Sequence, residues 1–143
     1  MLFFEDFEEL SCSRRFLFEG CDLEEFVTSQ NPVCGDVVSI RAKVENEVIV
    51  DLAYQARACW PVFGCLELLF DRFKDKSVHE LFQFSLNDFL DLVDETPLSK
   101  KHAFSLTYRG LKAAVTKASV AESSIEPRRD DSTQAEREFN RAR

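Results

Sequence analysis

The chain has 143 residues, and its 18 basic and 26 acidic side chains give a formal net charge of -8. That length fits a single domain, and a hydrophobic fraction of 45% argues against a generally disordered chain. The acidic balance argues against a nucleic-acid partner and against an anionic membrane surface as partner, because both require a basic protein face.

The cysteine count and the first residues bear on the compartment. Five cysteines cannot all pair within one chain, and Met1–Asp6 lacks the basic region of a secretory signal. No segment approaches the roughly 20 apolar residues of a membrane span. We therefore predict a cytoplasmic protein with reduced thiols, whose cysteines bind metal, react or fill the core.

Residues 1–30 are predicted to form an N-terminal helical segment. In its first part, apolar residues recur at helical spacing opposite acidic ones. These are Phe3, Phe4, Phe7 and Leu10. A second helical stretch is predicted around residues 16–26, although Gly20 interrupts it. We expect the phenylalanine rings to pack on the sheet; the alternative is an exposed patch that binds a partner.

Two alternating segments predict an antiparallel hairpin. Apolar and polar residues alternate over residues 38–44 and again over 48–55, and Glu45–Glu47 between them is typical of a turn. The second segment is expected to continue towards Cys59 as an extended or third strand. The hairpin gives the fold class: an α+β domain with a small, mostly antiparallel three-stranded sheet covered by helices on one face.

Helix signals fill the rest of residues 31–120, the predicted domain. Trp60-Pro61 favours a helix start, and Ser77–Glu80 has the form of a capping box. Another short helix is predicted from about Ser85, and a last one over Ala103–Ala118. The expected core positions of the last helix are Leu106, Leu111, Ala114 and Val115. Residues 121–143 are predicted to be a charged, disordered tail.

Two cysteines are predicted to meet at one edge of the hairpin. Cys34 precedes its first strand and Cys59 follows its second, so the topology returns both to the same edge. Cys59 also precedes a helix, whose dipole favours a thiolate. Asp36 follows Cys34 by two residues, and His102 stands at the start of the last helix. Two thiolates, a carboxylate and an imidazole would form a tetrahedral set for zinc or iron.

The other candidate residues are interpreted as structural or incidental. Cys65 lies six residues after Cys59, about 9 Å along a regular helix, which is too far for one metal to bind both. Cys12 and Cys21 have no second ligand nearby, and His79 is expected on the surface. A Cys–His hydrolase is unsupported because no residue can be named for an oxyanion hole.

The segment Asn31–Val38, with Cys34-Gly35-Asp36 at its centre, resembles the first cysteine motif of the NifU-like, or IscU-type, iron–sulfur cluster assembly scaffolds. The resemblance extends to Lys117 and includes Pro97 with Lys100-Lys101-His102. It implies that Cys34, Asp36, Cys59 and His102 bind iron and sulfur, or a labile [2Fe–2S] cluster. It also implies a cysteine desulfurase that supplies sulfur and acceptor apo-proteins that receive the cluster.

The chain departs from that family at one position with chemical consequences. The third cysteine of the family falls at Ala103, which has no ligand atom. This favours, as an alternative, a zinc- or iron-binding regulatory or interaction protein of the same fold that no longer assembles clusters. A further alternative is an interaction module that keeps the fold and has lost the site. We expect a non-catalytic scaffold or carrier rather than an enzyme.

Overall fold

The computed structural model describes residues 2–20, 22–94 and 100–125. Within these ranges, ten elements follow one another. They are β1 (Leu2–Phe3), α1 (Phe4–Leu10), β2 (Val27–Gln30), β3 (Val37–Glu45), β4 (Val48–Arg57), α2 (Trp60–Phe73), α3 (Val78–Gln83), α4 (Leu86–Leu90), β5 (Val93–Asp94) and α5 (Lys101–Ile125).

The main sheet is antiparallel with strand order β2-β3-β4, which confirms the predicted α+β fold. The β3–β4 hairpin turns at Asn46 and Glu47, which both have positive φ, as a tight two-residue hairpin turn requires. Helix α5 packs on β2 and β3. Gly110 of α5 allows this approach, since a Cβ there would lie 3.3 Å from Ile40 Cδ1. A second, two-stranded parallel sheet joins β1 to β5.

Strand β4 does extend towards Cys59, as one of the two predicted alternatives has it, whereas the other alternative, a third strand there, is wrong because the third strand comes from the N-terminal side. Strand β4 ends at Arg57, and β2 pairs with β3 from the opposite edge. The helix predicted around residues 16–26 is also wrong. Leu17 instead bridges to Tyr54 at the free edge of β4. The backbone of this segment forms hydrogen bonds with the edge of the sheet instead of hydrogen bonds within a helix.

The short helices after α2 begin as the sequence predicted. Ser77 and Glu80 form a complete capping box at the start of α3, and Ser85 and Asp88 form another at the start of α4. Each box satisfies backbone N–H groups that the first helical turn leaves without partners. Pro61 lies in the first turn of α2, where its missing N–H costs nothing.

Helix α5 is longer than predicted. Its expected core residues are all buried, but it continues to Ile125, into the segment predicted to be a disordered tail. One reason is a long-range contact: the Glu122 carboxylate accepts a hydrogen bond from the Asn46 N–H at 2.7 Å, which ties the helix to the hairpin turn. The rest of the predicted tail, residues 126–143, lies outside the described residues, as does the predicted break at Glu95–Pro97.

The N-terminal phenylalanines divide between core and surface. Phe7 is fully buried, whereas the side chain of Phe3 is 62% exposed. Phe7 packs against Trp60 and Phe104, at the starts of α2 and α5, rather than on the sheet as expected. Within the part of the chain that the structure describes, no helix is long and apolar enough to cross a membrane.

Three residues that were interpreted as structural or incidental lie where that interpretation places them. Cys65 is fully buried in the core of α2, whereas Cys12 and His79 are exposed. Cys21 lies outside the described residues.

Candidate metal centre

Three loop junctions supply the predicted site residues. Cys34 and Asp36 lie in the tight loop before β3, Cys59 is the N-cap of α2, and His102 lies in the first turn of α5. The first loop is held by Asn31: its N–H donates to the Asp36 carbonyl at 2.9 Å, and its own carbonyl accepts from the Gly35 N–H at 2.8 Å. Gly35 has φ +80°, a conformation that side chains other than glycine rarely adopt.

The structure brings three of these side chains into one group and places the fourth, Cys59, beside two of them. Possible ligand atoms of Cys34, Asp36 and His102 lie within 4.8 Å of one another. The Cys59 thiol donates a hydrogen bond to Asp36 Oδ2 at 3.2 Å and lies 3.8 Å from His102 Nε2. His102 Nε2 is 3.7 Å from the same carboxylate oxygen. We call these four residues the open cluster, because Cys34 and Cys59 are both exposed.

The Cys59 thiol is protonated in the metal-free protein, which corrects the thiolate expected from the helix dipole. Burial, the hydrogen bond to Asp36 and the charge of that carboxylate, in decreasing order of effect, together raise the pKa of Cys59 from 9.0 to about 11. The helix start favours the thiolate, but burial and the neighbouring carboxylate together favour the neutral thiol more strongly.

The donor atoms fit a transition metal. Two sulfurs, one imidazole nitrogen and one carboxylate oxygen are the ligand types found in tetrahedral zinc and iron sites. Within residues 2–20, 22–94 and 100–125, no other group of three or more His, Cys, Asp or Glu side chains converges in this way. Metal binding would displace the proton that Cys59 shares with Asp36.

Sequence comparison then gives the family. The model of the "NifU-like N terminal domain" family matches residues 18–123. The chain belongs to this family. Its position 103, where the resemblance places a third cysteine, carries a fully buried alanine that adds no ligand. The Ala103 carbonyl accepts a hydrogen bond from the Thr107 hydroxyl at 2.9 Å, an ordinary contact inside α5.

Curated relatives of this NifU-like chain carry scaffold names. "Iron sulfur cluster assembly protein 1" of Trachipleistophora hominis is 28% identical over 85 residues, which cover 59% of this chain and 61% of the relative. "Iron-sulfur cluster assembly scaffold protein IscU 1" of Archaeoglobus fulgidus is 26% identical over 94 residues, covering 66% and 61%. The chain thus spans about three fifths of the length of these relatives.

Solved structures agree in fold. The N-terminal NifU-like protein of Brucella abortus superposes with a TM-score of 0.62 at 13% identity, over 80% of this chain and 92% of that one. A putative SUF-system scaffold of Fervidobacterium islandicum gives 0.61 at 17% identity, over 76% and 93%. At these identities the likeness shows that the chain has the NifU-like fold.

The contacts that support the open cluster could be predicted from the sequence only in part. The helical spacing of Phe7 predicted an apolar position, but nothing in it indicated contact with Trp60, which follows Cys59 directly. Such a contact joins elements that are more than 50 positions apart. The one available signal was the unusual number of 14 phenylalanines, which indicates ring-to-ring packing without naming the pairs.

Proposed function

We propose that this protein is an iron–sulfur assembly scaffold that binds iron and sulfur, or a labile [2Fe–2S] cluster, as cargo and passes it to acceptor proteins. The observation that carries the proposal is the convergence of Cys34, Asp36, Cys59 and His102 from three separate junctions. A hydrogen bond to Asp36 needs only one thiol, so a second exposed thiol at the same edge favours ligand binding over a purely structural role.

Each residue has a distinct role in the proposed site. Cys34 and Cys59 bind the cargo through thiolates, and Asp36 and His102 complete the ligand set. The hydrogen bond from Cys59 to Asp36 keeps that thiol protonated until metal arrives, and the metal then takes the place of the proton. An oxygen ligand binds iron in a sulfur-rich site less tightly than a third thiolate, so the cargo can leave again.

The proposed partners follow from this role. A cysteine desulfurase supplies the sulfur and acceptor apo-proteins receive the cluster, with the cytoplasm as the proposed location. The scaffold itself carries its cargo and catalyses no turnover of a substrate. The acidic surface of the chain suits partners with basic surfaces.

Anaerobic reconstitution tests the proposal. The purified protein is incubated with iron and sulfide, and thiolate-to-iron absorption is recorded together with iron and sulfide content. Wild type should become coloured, whereas Cys34→Ser and Cys59→Ser should not. Cys12→Ser is the matched control, because Cys12 is also exposed but lies outside the open cluster. A colourless wild type, or colour that survives both cluster substitutions, would remove the proposal.

The buried Ala103 favours a second candidate, a zinc- or iron-binding regulatory or interaction protein of the same fold. Four ligands suffice for one zinc ion without a third cysteine. Metal analysis after purification, with melting recorded before and after chelation, separates the two functions. Bound zinc and a melting temperature that falls on chelation favour the second candidate. Ala103→Cys is informative as well: a cluster that forms only in this variant would show that the natural chain has lost assembly.

A further inference from the structure

Phe7 of α1 contacts the first turns of both helices that carry the open cluster. Its ring centroid lies 5.5 Å from that of Phe104, nearly parallel at 23°, and 5.8 Å from that of Trp60. Trp60 follows Cys59 directly, and Phe104 follows His102 by two residues. One fully buried ring therefore spans the distance between the backbone that presents a thiol and the backbone that presents an imidazole.

Gly64 makes this approach possible. A Cβ at position 64 would lie 2.9 Å from two ring atoms of Phe7 and 3.2 Å from the Phe7 carbonyl. Real Cβ atoms do not come that close, so any larger residue would push α1 away from α2. The contact thus depends on a small residue on α2 and a large one on α1.

The N-terminal segment is tied to the same end of the molecule by its backbone. Strand β1 pairs in parallel with β5, and Phe3 lies opposite Asp94, shortly before the start of α5. Helix α1 precedes residues 18–123, the part matched by the family. A segment outside the matched region therefore packs directly against the turns that hold the site.

We propose that Phe7 is a positioning residue for the open cluster, which fixes the starts of α2 and α5 so that Cys59 Sγ and His102 Nε2 stay 3.8 Å apart. Displacing the ring lets the two helix starts separate. The Cys59 thiol then leaves Asp36, and a bound metal loses one side of its ligand set. The consequence for metal retention rests on the proposed function, but the geometry can be tested without metal.

Two substitutions displace the contact from opposite sides. Phe7→Leu keeps an apolar side chain and removes the ring, whereas Gly64→Ala inserts a methyl group where the ring lies. Alanine is also the better helix former, so Gly64→Ala disturbs the contact without weakening α2 itself. Phe16→Leu is the matched control, because Phe16 is a ring in the same N-terminal region that packs edge-on against Phe70 at 5.7 Å.

The first measurement uses the metal-free full-length chain. Iodoacetamide modification is followed by mass spectrometry, and the rate at Cys59 is divided by the rate at exposed Cys34. We expect Phe7→Leu and Gly64→Ala each to raise this ratio by about three- to tenfold, since Cys59 loses its carboxylate partner. Phe16→Leu should leave the ratio at the wild-type value even where its melting temperature falls equally.

The second measurement is Co²⁺ binding, read from the thiolate-to-cobalt absorption. We expect both variants to bind Co²⁺ about tenfold more weakly or worse, the size of effect typical of residues that support metal ligands. The double variant, Phe7→Leu with Gly64→Ala, should recover part of the loss, because the smaller side chain makes room for the methyl group. A merely structural role would instead lower the melting temperature and leave Co²⁺ affinity near wild type, as is expected for Phe16→Leu.

Unchanged alkylation ratios in both single variants would overturn the inference, as would an equal rise in Phe16→Leu. If wild type binds no Co²⁺, the proposed function fails, and the alkylation ratio alone decides whether Phe7 positions the cluster. The two failures are therefore distinguishable.

Discussion

Two carboxylates in this protein each accept a hydrogen bond from a weakly acidic side chain, but their surroundings differ. Glu67 is fully buried and accepts from the Tyr54 hydroxyl at 2.9 Å, with further contacts from residues 13–16. These are the Phe16 N–H at 3.1 Å, the Ser13 hydroxyl at 3.2 Å and Arg15 Nε at 3.4 Å. We call Ser13, Arg15, Phe16, Tyr54 and Glu67 the buried cluster.

The carboxylate of the open cluster accepts fewer hydrogen bonds than Glu67 does among the described contacts. Asp36 receives the Cys59 thiol and lies near His102, while the Cys34 thiol faces solvent. Both donors have raised pKa values: burial, then the hydrogen bond to Glu67, raises the pKa of Tyr54, and the same causes with Asp36 raise that of Cys59 to about 11. The two carboxylates differ in how many hydrogen-bond donors surround each of them. A buried carboxylate with four donors holds the structure together, whereas Asp36, which is also buried but lies beside two exposed thiols and an imidazole, can take part in binding a metal.

Glu67→Ala should have the largest effect on stability. It leaves the Tyr54 hydroxyl and the Phe16 N–H without their acceptor and should lower the free energy of unfolding by about 3–5 kcal/mol. Asp36→Ala is the paired variant and should cost about 1 kcal/mol or less, because the donor that it leaves without this acceptor, the Cys59 thiol, is exposed. Urea unfolding measures both. Equal losses would mean that the open cluster is also structural.

Cys59 should react with alkylating agents much more slowly than an ordinary thiol. With a pKa near 11 rather than 9.0, its thiolate fraction at pH 8 is about 100-fold smaller, so its rate should rise with pH up to about 11. Because the folded pKa is the higher one, the hydrogen bond contributes to stability fully below about pH 9 and is lost as pH rises through 11. Asp36→Asn should move the rate profile to lower pH. A wild-type midpoint near 9 would contradict this.

Asp36→Asn should also weaken metal binding while the fold stays intact. Removing the ionised oxygen ligand should lower Co²⁺ affinity at least about tenfold, with little change in melting temperature. Glu67→Gln is the mirror variant: it should lower the melting temperature and leave Co²⁺ affinity near wild type. Loss of metal binding in Glu67→Gln without unfolding would show that the two clusters are coupled through α2.

The two clusters also differ in how far the sequence could predict them. The open cluster was predictable because hairpin topology and helix starts are local patterns that return Cys34 and Cys59 to one edge. The pKa of Cys59 was not, because the sequence shows its helix but not its distance from Asp36. The buried cluster was not predicted from the sequence. Glu67 sits within an apolar stripe, and three of its partners come from residues 13–16, part of the segment predicted to be helical, which forms turns instead.

Arg15→Ala offers the finest test of the comparison. Arg15 is 48% exposed and pairs with both Glu67 and Asp71, so solvent screens its charge and Glu67 keeps three other donors. We expect a loss of about 0.5–1 kcal/mol that shrinks in 1 M salt. Arg109→Ala is the control and should cost less. Arg109 is also exposed, and its described hydrogen bonds stay within its own helix. A loss of about 3 kcal/mol for Arg15→Ala would mean that the buried carboxylate depends on this one cation. The stability of the buried cluster would then come mainly from one ion pair and not from the hydrogen bonds that Tyr54 and the Phe16 N–H donate to Glu67.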